Sequence, residues 1–553
     1  MGALCPHCRP WRDQVLPTLP ATATNHIMLH LTFACLLAPF FPTQSPSLLA
    51  AVPDNANAIA RCSSVSLLRD RMESNRWAQF LQTNTGQDLM LNSLMDGGGN
   101  DETEEMIEIG SALNGECVLF SSETLTGFLT TPPTNAAALK SAMQAWMPEE
   151  DEGYNHASQV MFGAQVDVFA RDRSELYGGV LERSGRAVAL VHHPMAFGLF
   201  SADNGEELLN GLKSSLSHLG TNHRSPLVEA LAARRSQVGH AGLVEFILDS
   251  SQTIHAMVDD FSPPEVTLTR EQTLGKGPCD LYLSLDVQPG TRMEMRGHFN
   301  VPSGTLASRF ADCMRPLPMG LADSIPHDSI AFTGLGLDLA AGFELGRKIL
   351  AELKAEEALD TVDQGLAAGQ AMTGVDLEQA LIRQLTGPMA VVFLEPGDRT
   401  EADDIFDLPL FFMEGLGNGV LFQEAFEELI PLGEQFIELN LSDVHGVDVY
   451  QASGEDFGLA FLPEAFVVAL NNDALVRAVT AAVGEEQSNE PGRISAALMA
   501  NPGVCGLATT VMSPFWRSMI DGDEEAIGLV EGAQITSSLR RVATGFELHL
   551  IAH

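Results

Sequence analysis

Basic side chains are scarce in this 553-residue chain: 31 Lys and Arg face 73 Asp and Glu, a net charge of −42 at pH 7. A protein that wraps phosphate backbones needs clustered cations to displace counterions, so nucleic acid and anionic membrane surfaces are not expected partners. The familiar catalytic signatures are missing as well. No GxSxG nucleophile elbow, no HExxH helix and no GxxxxGK[ST] phosphate loop occurs, so spacing alone gives no residue a catalytic, cofactor-binding or metal-binding role and implies no cofactor. Cysteine is sparse, eight residues in all. Without the leader described below, Cys62, Cys117, Cys279, Cys313 and Cys505 remain, too few and too far apart for a disulfide framework, and no bridge can be assigned. Low-complexity tracts are absent too.

What is present is globular material: 45% of residues are hydrophobic and 19% charged, enough for a sizeable core. The length implies several units, at roughly 100–200 residues per domain. Near the N-terminus, the apolar run "IMLHLTFACLLAPFF" (27–41) is followed by Pro42 and small residues up to "SLLAA" (47–51). It is too short and too proline-broken for a comfortable membrane span and fits the core and cleavage zone of a secretory signal, with cleavage expected near Ala50 or Ala51. Arg9 and Arg12 lie far from the apolar core, so translation from Met28 is an alternative to Met1. The mature chain is expected to be exported, to the periplasm or cell envelope, with no stable membrane span.

An internal echo organises the rest. Pro53 and Pro326 are 273 residues apart, Gly115 and Gly387 are 272 apart, and Pro194 and Pro463 are 269 apart. Leu231 and Leu498 follow at 267, Gly242 and Gly506 at 264, and the alternating stretches 292–299 and 545–552 at 253. Weak blocks that stay collinear while their separation falls steadily are the mark of a duplicated unit with shortened loops. The expected layout is a leader over 1–50, repeat unit one over 51–305, a linker over 306–323 and repeat unit two over 324–553.

Each unit opens on a period-two stretch followed by a helix. After Pro53, Ala56, Ala58 and Ala60 alternate with Asn57, Ile59 and Arg61 as in a strand, Ser63 or Ser64 is placed to cap, and Leu68, Met72, Trp77, Phe80 and Leu81 recur at helical spacing. In the second copy 331–336 is the strand, Asp338 the cap, and Leu339, Phe343, Leu350 and Leu353 the helical face. Strands are expected at 117–120, 186–191, 390–394 and 457–461, helices at 206–216 and 472–483. The expected class is α+β, two tandem homologous repeats, each a mainly antiparallel sheet with helices packed on one face.

Several local patterns invite chemistry and have a simpler account. "GLGLDLAAG" (334–342) starts like a dinucleotide loop, but Leu339 occupies the third glycine position, and it reads as structural. Asp96, Asn100, Asp101 and Glu102 in 96–105 supply oxygens suited to Ca²⁺, without the alternating spacing of a helix-loop-helix site, so a solvated loop is expected there and at 401–407. Residues 523–526 read as another exposed tip. The pair His192 and His193 at a strand end would point to opposite faces, which prevents both from gripping one ion. "CPHC" (5–8) falls in the leader and lacks a second pair.

The stretches "VPDNANAIARCSSVSLLRDRM" and "IPHDSIAFTGLGLDLAAGF", with a later L-x-G-x-x-x-x-x-F strand, resemble the start of a family of uncharacterised exported bacterial proteins with a repeated domain of unknown function. The resemblance covers about 51–250 and 324–513 and implies an exported α+β protein without supplying site residues. The expected function is noncatalytic binding, of an unknown apolar or peptide-like ligand or an envelope protein, in a cleft between the duplicated halves. The alternatives are a secreted hydrolase with a dispersed active site and a structural component of the envelope.

Overall fold

Strand assignment follows the alternation and apolar runs of the sequence, and a computed structural model describes residues 47–83, 113, 115–132, 139, 154–177, 180–252, 254–255, 269–275, 278–395, 409–433, 438–453, 457–484, 492–512 and 524–553. The apolar run 27–41, the cysteine pair at 5–8 and the acidic stretches 96–105 and 401–407 lie outside the described residues. The chain divides into two compact units, Met1–Asp70 with Gly86–Val228, and Arg71–Thr85 with Glu229–His553. These are units of packing, whereas the boundaries read from the sequence concern repetition. The fold is α+β with antiparallel strand pairing throughout the described registers.

The first unit holds β1 (Ala58–Cys62), β2 (Cys117–Ser121), β3 (Leu125–Thr130), β4 (Asn155–Met161), β5 (Ala164–Tyr177), β6 (Val180–His193) and β7 (Ala196–Ala202). They pair in the order β1-β2-β3-β7-β6-β5-β4. Helix α1 (Val65–Glu73) begins where Ser64 accepts a bond from the Leu67 amide, and it crosses the division at Asp70. Helix α3 (Gly205–His218), capped by Asn204, buries Leu208, Leu212 and Leu216 against β3, β6 and β7. The i, i+4, i+8 spacing of those leucines puts them on one helical face.

Residues 48–51 are part of this unit. They form a short 3₁₀ turn in which Leu48, Ala50 and Ala51 are buried, and the Leu48 amide donates to Glu116 Oε2 at 3.0 Å. The Glu116 carboxylate also receives Arg61 at 2.8 Å. Folded structure therefore begins before the expected cleavage point at Ala50 or Ala51.

The second unit contains β8 (Val244–Asp249), β9 (Asp280–Val287), β10 (Met293–Asn300), β11 (Ser329–Leu335), β12 (Leu385–Leu394), β13 (Leu410–Leu416), β14 (Leu439–Val444), β15 (Val447–Ala452), β16 (Gly458–Leu462), β17 (Ala465–Ala469), β18 (Gly506–Val511), β19 (Gln534–Val542) and β20 (Gly545–Ala552). Their order is β8-β9-β10-β20-β19-β18-β11-β12-β13-β17-β16-β15-β14. The helical-looking run after Ser64 is in fact two helices. It breaks at Asn75, whose side chain caps α2 (Arg76–Gln82) and donates to the Gln288 and Arg292 carbonyls. Trp77 and Phe80 of α2 then pack on Ala526 and Val530 of α10 (Glu524–Val530). Of the expected exposed tip at 523–526, Glu525 is exposed, whereas Ala526 is buried.

Helices flank both faces of this sheet, which corrects the expectation of one covered face. On one face Phe411 and Met413 of β13 share a core with Ala474 and Leu475 of α8 (Asn472–Ala482) and Ile494 and Leu498 of α9 (Arg493–Ala500). On the other, Phe461 and Phe466 meet Phe422 and Phe426 of α7 (Gly419–Gly433), and α5 (Leu339–Glu352) packs against β12. The reason is legible in "LFFM" and "AFVVA": unbroken apolar runs place apolar side chains on both sides of a strand. Within 306–323, Leu317, Leu321 and Ala322 enter the α8–α9 core. Asp338 caps α5 as its position implied, accepting from the Ala341 amide at 2.8 Å, and α6 (Glu356–Thr373) follows.

Candidate functional site

The structure disperses the patterns that looked chemical in the sequence. His192 is exposed against the Phe197 ring, while the half-buried His193 accepts the Met195 amide at Nδ1, holding the β6–β7 turn. At 334–342, Arg315 N donates to the Gly336 carbonyl at 2.5 Å, and a Cβ at Gly336 would stand 1.9 Å from Arg315 O. That glycine serves close backbone packing. The five cysteines among the described residues are all buried, and Cys62 lies directly opposite Cys117 on β1 and β2. Among the described residues no group of His, Cys, Asp and Glu is arranged to hold a metal, and no helix is long and apolar enough to cross a membrane.

Two charged clusters are structural by their geometry. Beneath α4 (Pro226–Val238), within which the two units divide, Arg235 forks onto Glu245 at 2.6 and 2.5 Å and Tyr282 donates to the same carboxylate at 2.9 Å. Burial and the Glu245 charge push the Tyr282 hydroxyl pKa up. Next to it Arg234 forks onto Asp280 at 2.6 and 2.9 Å, and burial, with Arg234, lowers the pKa of the enclosed His298. On β10, burial alone would raise Glu294, but hydrogen bonds from Arg296, His549 and Arg292 overcome it and hold the carboxyl at about 2. Carboxylates with their partners saturated in this way fix structure.

Glu414 differs in that its Oε1 has no hydrogen-bond partner among the described residues. It sits on β13 between Met389 of β12 and Phe466 of β17 in direct register, with Phe412 two residues away on the same face. Its Oε1 is sealed from solvent without a hydrogen bond, and burial raises the carboxyl to about 7. No charged neighbour contributes to that rise. Beside it the rings of Phe422, Phe426, Phe461 and Phe466 pack with centroids 5.2–6.2 Å apart. Yet the strip is not closed: Met389 is 41% exposed and Phe412 43%. The result is an apolar floor, open at two large side chains, that carries one carboxyl poised between its charged and neutral forms. Such a group can accept a donor, or exchange a proton at neutral pH.

Around this floor the charges are tied to one another. Arg383 bridges Glu344 and Glu378 at 2.5 and 2.7 Å, and Arg347 bridges Asp363 and Glu378 at 2.5 and 2.9 Å. Tyr450, in the same aromatic group, donates to Glu427 at 2.7 Å. Sequence reasoning passed over Glu414 as one of 73 acids. The available signal was its place in "LFFMEGL", where it is the sole charge of an apolar strand.

Comparison with known proteins finds no family model, no curated protein and no solved structure that matches the chain.

Proposed function

We propose that the protein is an exported, noncatalytic binding protein of the periplasm or cell envelope, and that it takes an apolar ligand on the β12–β13 floor. One observation carries the binding reading: Met389 and Phe412, diagonal neighbours on adjacent strands, are 41% and 43% exposed beside a buried carboxyl without a partner. Large apolar side chains grouped with one unpaired polar atom are the composition of a ligand site, where apolar contact supplies affinity and the polar atom orientation. The test is titration of the mature chain with Nile red, a neutral apolar dye. Binding should fall in Phe412→Asp and Met389→Asp and persist in Leu441→Asp, an exposed leucine on β14. Dye binding that ignores the floor substitutions would sink the reading.

The proposal includes a duplicated architecture. Its support is that β1-β2-β3-β7-β6-β5-β4 and β11-β12-β13-β17-β16-β15-β14 are the same order in two stretches of chain. The β4–β5 and β14–β15 hairpins both turn through two residues of positive φ, Phe162 and Gly163 at 52° and 83°, His445 and Gly446 at 55° and 81°. Asn204 and Asn471 cap the helices that follow β7 and β17 with nearly equal backbone angles. Export rests on the apolar leader. The buried 48–51 segment moves the proposed cleavage upstream of Ser47, because a cut at Ala50 would discard Leu48 from its packed site.

A hydrolase remains the second reading, favoured by the same Glu414, since a carboxyl held near 7 suits acid–base work. Ester turnover with a pH dependence near 7 that vanishes in Glu414→Gln would favour it over pure binding.

A further inference from the structure

Resting on the apolar-floor reading above, we propose that the ligand is a cationic amphiphile whose ammonium group is received by Glu414. The apolar part would cover Met389 and Phe412, the two open side chains of the floor. The head would meet the carboxyl that stands between Met389 and Phe466 with Oε1 lacking any donor. Among the described residues that oxygen finds no donor. Arg347 and Arg383, on segments beside β12, are held by Asp363, Glu378 and Glu344, and the Tyr450 hydroxyl is taken by Glu427.

An ammonium group brings both things the site lacks, a donor and a positive charge, whereas an alcohol brings only the donor. An anionic head would be opposed by the carboxylate and by a chain of net charge −42, whose field instead concentrates cations. The charged groups on the surrounding elements are Glu344, Arg347, Lys348 and Glu352 on α5, Glu378 and Arg383 before β12, Glu464 just before β17, Glu424, Glu427 and Glu428 on α7, and Asp448 on β15. The carboxylates outnumber the cations, which again favours a positive head.

Burial holds the free carboxyl at about 7, so below neutrality an ammonium must displace a proton from Glu414 in order to bind. Affinity should therefore fall as pH falls, about tenfold per pH unit once pH is well under 7. The experiment is calorimetric titration of the mature chain with decylamine and with 1-decanol at pH 6 and pH 8, in two buffers of different ionisation enthalpy, for wild type and Glu414→Gln. Decylamine should bind wild type about tenfold tighter than decanol at pH 8, release about one proton at pH 6 and almost none at pH 8, and lose both features in Glu414→Gln. Equal binding of the two heads without proton release would overturn the ammonium assignment and leave the apolar floor standing. Binding of neither compound would overturn the floor reading and this inference with it. The proton count in wild type needs no variant, so a poorly folding Glu414→Gln does not protect the proposal.

Discussion

Replacing Glu414 by leucine isolates the cost of keeping a carboxyl on an apolar floor. The folded carboxyl sits at about 7 against an ordinary 4.5, and at about 1.4 kcal/mol per pH unit that difference amounts to about 3 kcal/mol. Solvent reaching the half-buried side chain trims it to about 2 kcal/mol. The sign follows from the raised pKa. The folded state holds this proton more tightly than the unfolded chain, so the carboxyl is harmless below 4.5, destabilises progressively from 4.5 to 7 and exerts its full cost above 7. Glu414→Leu should match wild type near pH 4.5 and exceed it by about 2 kcal/mol at pH 8. Because a chain with two packing units need not unfold in one step, the assay is amide hydrogen exchange of the β13 peptides by mass spectrometry, variant against wild type at each pH. The variant should exchange about thirtyfold more slowly at pH 8. Equal protection at pH 8 would mean that the carboxyl is hydrated or paired, and the argument from burial would fail.

Arg235→Met should cost about 3–5 kcal/mol by leaving Glu245, whose side chain is fully buried, without its cation; Arg235→Met with Glu245→Met should recover most of that loss in a thermal melt. Gly415→Ala should cost about 1–3 kcal/mol, because its Cβ would lie 2.6 Å from Gly387 Cα and 2.6 Å from Pro388 Cδ across β12 and β13. Leu48→Ala should lose about 2–5 kcal/mol in denaturant titration, and N-terminal sequencing of the exported chain should find its start at or before Ser47. Cys117, buried and pushed up to about 12, should resist iodoacetamide at pH 8 in the native chain and react only after unfolding.

The α+β class, the strands near 117–120 and 457–461, the helices near 206–216 and 472–483, and the caps at Ser64 and Asp338 were all legible in the sequence. Each depends on residues within a few positions of one another: apolar period, a capping oxygen, a proline or glycine that ends a run. The break at Asn75 was not legible, because the bonds that fix it go to the carbonyls of Gln288 and Arg292, more than two hundred residues along the chain. Helices on both faces of the second unit's sheet were signalled by the apolar runs of β13 and β17, but which helix covers which face depends on register. Glu414 was marked in the sequence only as the sole charge of an apolar run. Its composition is that of any other glutamate, and only the pairing of β13 with β12 and β17 removes its donors, by setting Met389 and Phe466 on either side. The sequence by itself determined local structure, because propensity and patterning act over short range. The tertiary structure alone decided which polar atoms lose water without gaining a partner, because desolvation is set by neighbours in space.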